Sequence, residues 1–126
     1  MFVAAALFAA LAGLLHVYIW YLESFAWTTA ARKVFGTTEQ EAHATKEMAF
    51  NQGYYNLFLA VMAFGGVLAG LLGNRTVGTT LILAGTGSMF AAAAVLFLTS
   101  PDKRGAAIRQ GAFPLVAVVL TLLALL

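Results

Sequence analysis

Four stretches of this chain, Phe2–Leu22, Met48–Leu72, Val77–Leu98 and Ala106–Leu126, are each long and apolar enough to cross a lipid bilayer as a helix. A helix needs about 20 apolar residues to span a hydrocarbon core of roughly 30 Å. The seven Lys/Arg and five Asp/Glu avoid these stretches, Arg109 excepted. Hydrophobic residues make up 62% of the chain and charged residues 10%. Soluble domains carry about 25% charged residues, so these side chains are too few to coat a globule in water. A disordered chain, a nucleic-acid-binding module and a secreted disulfide scaffold are excluded together. The absence of cysteine also removes thiolate metal sites and cysteine nucleophiles.

Two of the three connections are short: Gly73–Thr76, and Ser100–Gly105. Short connections make consecutive helices antiparallel neighbours. The expectation is an all-α membrane protein, a single four-helix transmembrane bundle over residues 1–126. The first span ends in Trp20-Tyr21-Leu22-Glu23 and lacks a basic leader, so it is read as a retained helix and not a signal peptide.

The connection from Ser24 to Glu47 is long. Thr38-Glu39-Gln40-Glu41 fits a capping box, and no helix breaker follows before Gly53. One helix from Glu39 to Leu72 would be about 51 Å long and would outreach the bilayer. The second helix is therefore expected to project beyond the membrane on the loop side, into the cytoplasm, or to kink near Gly53. Phe25–Phe35 mixes aromatics with Arg32 and Lys33, which suits a segment lying along the headgroups.

Small residues recur inside the spans. Ala84-Gly85-Thr86-Gly87-Ser88 has the composition of a phosphate loop, but such a loop follows a strand and opens a soluble helix. Together with Gly66 and Gly70, spaced as GxxxG, it is read as a close-packing surface.

The polar residues inside the spans carry more information. His16 and Glu23 are seven residues apart and share a helix face, with Trp20 beside it. Ionisable residues in a span are costly and usually turn inward. Asn51-Gln52-Gly53-Tyr54-Tyr55-Asn56 is the most polar stretch of any span. Glu47, Asn51, Tyr54, Tyr55 and Phe58 form one stripe, and Gln52 and Asn56 form a second beside it. With Arg109 and Gln110, these groups fall in one layer at the loop-one side, where both tryptophans and all four tyrosines also lie. An ordinary aromatic belt populates both interfaces. A ligand pocket is therefore expected from His16, Glu23, Asn51, Gln52, Tyr55 and Asn56, with Trp20 and Tyr54 as aromatic walls and Arg109 as the counter-ion of Glu23. His43 and Glu47 are spaced as a metal pair, yet two ligands do not make a site. No metal, cofactor or Ser/His/Asp arrangement is identified, and the basic residues form no nucleic-acid patch.

His16-Val17-Tyr18-Ile19-Trp20-Tyr21-Leu22-Glu23-Ser24-Phe25-Ala26-Trp27-Thr28-Thr29 resembles a pattern of a family of small bacterial and fungal membrane proteins, catalogued as domain of unknown function 1304. Lys33-Val34-Phe35-Gly36, Lys46, Asn51–Ala60, and Gln110-Gly111 with Pro114 continue the resemblance. It implies a four-helix integral membrane protein and brings no activity with it.

Two functional classes stay open beside a third, a structural subunit of a larger membrane complex. One class binds or transports a small amphiphile, alone or as a homo-oligomer. Small multidrug-resistance exporters are similar in architecture, with four spans and an essential carboxylate in the first. The other class is a membrane enzyme of eicosanoid and glutathione metabolism, whose second helix Asn51, Tyr55 and Leu57-Phe58-Leu59-Ala60 resemble without the surrounding arginines. Arg32, Lys33, Lys46, Lys103, Arg104 and Arg109 flank loops one and three, against Arg75 alone on the other side. The positive-inside rule then puts those loops in the cytoplasm and both termini outside an inner membrane.

Overall fold

Each apolar stretch forms one long helix in the structure, a computed structural model that describes residues 1–126. In chain order the helices are α1 (Phe2–Phe25), α2 (Ala30–Phe35), α3 (Glu39–Ala44), α4 (Lys46–Leu71), α5 (Arg75–Thr99) and α6 (Arg104–Leu125). A single 3₁₀ turn at Pro101–Lys103 joins α5 to α6. The four long helices, α1, α4, α5 and α6, begin and end within about three residues of the bounds expected from hydropathy, the ordinary uncertainty of helix ends. No strand is present.

The long helices pack as an antiparallel ring. α1 lies against α4 and α6, α5 lies against the same two, and α1 barely touches α5 across the ring. Between helices in lipid there is little hydrophobic drive, so association depends on how closely backbones can approach. The inward stripe of α1 is accordingly built from Ala5, Ala6, Ala9, Ala12 and Gly13, with His16, Ile19 and Leu22 following. Against α5, Gly66 and Gly70 of α4 do the same. A Cβ placed on Gly78 would lie 2.6 Å from the Gly70 Cα, and one on Gly66 would lie 2.7 Å from the Ile82 nitrogen.

The Ala84–Ser88 segment is uninterrupted helix. Thr86 is buried and donates to the Ile82 carbonyl at 2.6 Å, and Ser88 donates to Ala84 at 2.7 Å. Both hydroxyls are satisfied within their own helix, as polar groups in a span must be. A Cβ on Gly85 would come 3.1 Å from both the Ala63 nitrogen and the Leu59 carbonyl, whereas one on Gly87 would meet nothing within 4 Å. Only one glycine of the pair therefore serves packing.

The second span differs in detail from the single helix expected from Glu39. The Thr38–Glu41 capping box is present, with Glu41 N donating to Thr38 Oγ1 and Thr38 N donating to the Glu41 carboxylate. The helix it opens stops at Ala44, and α4 starts at Lys46. The interruption is Thr45, at φ −107° and ψ 7°. Its hydroxyl donates to the Glu41 carbonyl at 2.7 Å and accepts from Trp27 Nε1 at 3.0 Å. Side-chain bonding of this kind competes with regular helix geometry. At Gly53, where a kink is one of the two alternatives expected from sequence, α4 runs on unbroken. Gly53 is instead a contact point: a Cβ there would meet Ser24 Oγ and come 3.1 Å from the Trp20 carbonyl.

Candidate functional site

The close approach at Gly53 positions the polar layer. It brings the last turn of α1 onto the second turn of α4, and Ser24 Oγ donates to the Phe50 carbonyl across that contact at 2.9 Å. One turn deeper on the side facing the bundle, Asn56 Nδ2 donates to Glu23 Oε2 at 2.6 Å and to the Gln52 carbonyl at 3.3 Å. The contact is short for an amide donor and a carboxyl oxygen. It links residues 33 positions apart in sequence.

Glu23, Gln52 and Asn56 line a half-open cleft of about 580 Å³ at the loop-one end of the bundle. Its other walls come from four sides, contributed by the loop-one segment, α4, α5 and the start of α6 with the turn before it. Trp27 and Phe35 come from the segment after α1, Thr37, Glu41 and Thr45 from around α3, and Met48 and Ala49 from the start of α4. Ala92 and Leu96 of α5 supply an apolar side, and Lys103 and Gln110 close the fourth. The loop-one segment reaches this position because it folds back on the bundle. Leu22, Ala26 and Ala31 bury together under Trp27, Val34 and Phe35, and Gly36 ends α2 in the left-handed region at φ 66°. On α6, Pro114 lies inside the helix and lacks the N–H that would meet the Gln110 carbonyl.

The remaining residues expected in the pocket lie elsewhere. His16 is 2% exposed, and its Nδ1 is 2.8 Å from the Ala12 carbonyl, four residues back on its own helix. It does not line the cleft. Trp20 and Tyr54 stack edge-to-face at 5.8 Å. With Phe25, Phe50 and Phe58 they form an aromatic ladder along α1 and α4. Trp20 Nε1 is buried there without a partner. Asn51 and Tyr55 are exposed on the outer surface of α4, so of the two stripes on α4 it is the one with Gln52 and Asn56 that faces the cleft. Arg109 is exposed and pairs with no acid; the only ion pair is Lys103–Asp102 at 3.7 Å. Arg109 stands two residues from buried Ala107 and Gly111, hence about 160° around the helix from each. The cation that lines the cleft is Lys103.

The aromatic walls are Trp27 and Phe35, whose rings are 5.6 Å apart. Neither they nor Thr37, Glu41, Thr45 and Lys103 are singled out by sequence as site residues. Their local sequence carries no such signal, since only the return of the loop onto the bundle makes them neighbours of Glu23.

The family described as protein of unknown function (DUF1304) matches residues 10–122. The chain belongs to that family. The match takes in α1 from residue 10, the loop-one segment, all of α4 and α5, α6 up to residue 122, and every residue of the cleft. No curated protein and no solved structure matches. The family carries no activity, and the helical membrane-type bundle is a finding of the structure itself.

Proposed function

We propose that the protein binds, and moves across or within the membrane, a small amphiphile whose polar end carries an amine. The observation that carries this reading is Glu23 held by Asn56 at 2.6 Å inside a cleft of about 580 Å³. Small-molecule sites are clefts of roughly 300–1,000 Å³, mostly apolar with a few convergent polar groups. Glu23 and Glu41 give the cleft two carboxylates against the one ammonium of Lys103, itself beside Asp102. Trp27 and Phe35 offer ring faces suited to an alkylammonium group. Ala92, Leu96 and Met48 give an apolar tail a path toward lipid. In this reading loops one and three face the cytoplasm of an inner membrane, in keeping with the basic residues that flank them.

The test is binding of a fluorescent quaternary-ammonium amphiphile to the purified protein in zwitterionic nanodiscs, followed by uptake into proteoliposomes. Glu23→Gln is expected to weaken binding by about tenfold or more, the loss of one charge-assisted contact. Glu39→Gln, outside the cleft, is expected to bind as the wild type does. Unchanged affinity in a folded Glu23→Gln variant overturns the reading. Stabilisation by glutathione, with no response to the amphiphile, would move the protein to the enzyme class instead.

A further inference from the structure

A second cavity, separate from the polar cleft, runs down the outer face between α5 and α6. It measures about 430 Å³ and is almost wholly apolar, with Phe90, Ala94 and Phe97 on one bank and Ile108, Ala112 and Leu115 on the other. The floor is formed where Gly111 meets Ala93, a Cβ on the glycine falling 2.8 Å from the alanine Cβ. From Ala107 to Leu115 the groove follows one stripe of α6 for about 12 Å, with Arg104 three residues before the first lining residue on that helix. That is somewhat less than half of the roughly 30 Å hydrocarbon core. It fits within one leaflet and is too short for a spanning helix to fill.

The polar end of the groove is charged. Arg104 Nε donates to the Phe97 carbonyl at 3.1 Å, and the guanidinium carbon sits 4.8 Å from the centre of the Phe97 ring. This holds the planar fork over the groove mouth with its terminal N–H groups facing no acidic partner, since the single ion pair of the protein is Lys103–Asp102. Arg109, three residues before Ala112, adds a second unpaired cation on the flank. A guanidinium fork matches phosphate oxygens in geometry as well as charge, and basic pockets between transmembrane helices suit anionic headgroups. A matching site is missing at the other end of the bundle. Arg75 also lies over a ring, that of Phe2 at 3.9 Å, but the cavity beside it is mixed, with Thr76, Thr79 and Thr80 as well as Leu83, Ala124 and Leu125 in its lining.

We propose that the α5–α6 groove is a site for one anionic phospholipid, with an acyl chain along the groove and the phosphate on the Arg104 fork. The assignment is independent of the ligand read for the cleft. The experiment is native mass spectrometry of the full chain released from mixed phosphatidylglycerol and phosphatidylcholine micelles, with melting temperature followed in parallel. The wild type is expected to retain one phosphatidylglycerol in preference to phosphatidylcholine by about fivefold or more, and to melt higher when it is added. Arg104→Gln, an exposed change, is expected to abolish the preference. Ala112→Phe, which fills the groove, is expected to remove the retained lipid of either kind. Arg75→Gln is expected to keep both retention and preference. Equal retention of the two lipids by the wild type, or an undiminished preference in Arg104→Gln, overturns the proposal. So does a wild type that retains no lipid and becomes monomeric from a dimer on Ala112→Phe, which would make the groove a contact between copies of the chain.

Discussion

The two ends of the bundle are built from the same four helices on opposite rules. At the turn between α4 and α5, glycine meets backbone: Gly66, Gly70 and Gly78 let the two helices touch. Gly73 turns the chain at φ 102°, and Asn74 Oδ1 caps α5 by accepting from Val77 N at 3.1 Å. At the loop-one end one glycine, Gly53, brings α1 onto α4, and beside that contact larger polar and aromatic side chains line the cleft. Where the two backbones approach, the gain is dispersion contact between α4 and α5. Amides and carboxylates in the same setting must be partnered, and their partners define a cavity wall. The glycine end is thus held by backbone contact, and the polar end by side-chain hydrogen bonds beside an open cleft.

The comparison is most severely tried at Gly78. Gly78→Ala puts a methyl group 2.6 Å from the Gly70 Cα, an obstacle made of backbone that cannot rotate away. Overpacking of this kind costs about 3 kcal/mol or more, to be read as a large fall in melting temperature in detergent. A loss below about 1 kcal/mol would mean that the glycine end does not hold the bundle together.

Gly53→Ala comes next. The new methyl group displaces Ser24 Oγ, and with it the bond to the Phe50 carbonyl. A cost of about 1–2 kcal/mol is expected, smaller than at Gly78 because a hydroxyl can turn aside. Binding of the ammonium probe should fall further than stability, since the Glu23–Asn56 register is set at this contact. Unchanged binding with lowered stability would separate Gly53 from the site.

The two asparagines of α4 form an internal pair. Asn56→Leu removes the amide bound to Glu23 and should destabilise by about 1–3 kcal/mol. Asn51→Leu, on the exposed stripe, should stay within about 0.5 kcal/mol of the wild type. Equal effects at both positions, measured by unfolding in sodium dodecyl sulfate, would dissolve the distinction between the stripes.

The smallest effect is expected at Gly87, which has nothing within 4 Å of an added Cβ. Gly87→Ala should stabilise by about 0.5–1 kcal/mol through helix propensity alone. Gly85→Ala, against the Ala63 nitrogen and the Leu59 carbonyl, should move the melting temperature the other way. A shift of the same sign in both would show that the Ala84–Ser88 segment packs differently from the arrangement described.

Hydropathy alone determined the four helices and their order, because a backbone in lipid has few ways to satisfy its hydrogen bonds and a helix of about 20 apolar residues is the simplest. Helical spacing also set Glu23, Gln52 and Asn56 apart as polar groups on shared faces, since angular position along a helix is a property of sequence. Which faces turn inward was decided only by the tertiary structure. His16 and Glu23 share a stripe of α1, yet His16 lies in the tightly packed part of it while Glu23 reaches the cleft. Arg109 is absent from the cleft lining, and the cation that lines it is Lys103. Trp27, Phe35 and Glu41 join the site because Leu22, Ala26 and Ala31 bury together and draw the loop-one segment back over the helix ends. Sequence periodicity is local to one helix, whereas a site wall depends on how separate elements rotate and dock. That docking is settled by long-range contacts such as Gly53 against Ser24 and Gly78 against Gly70.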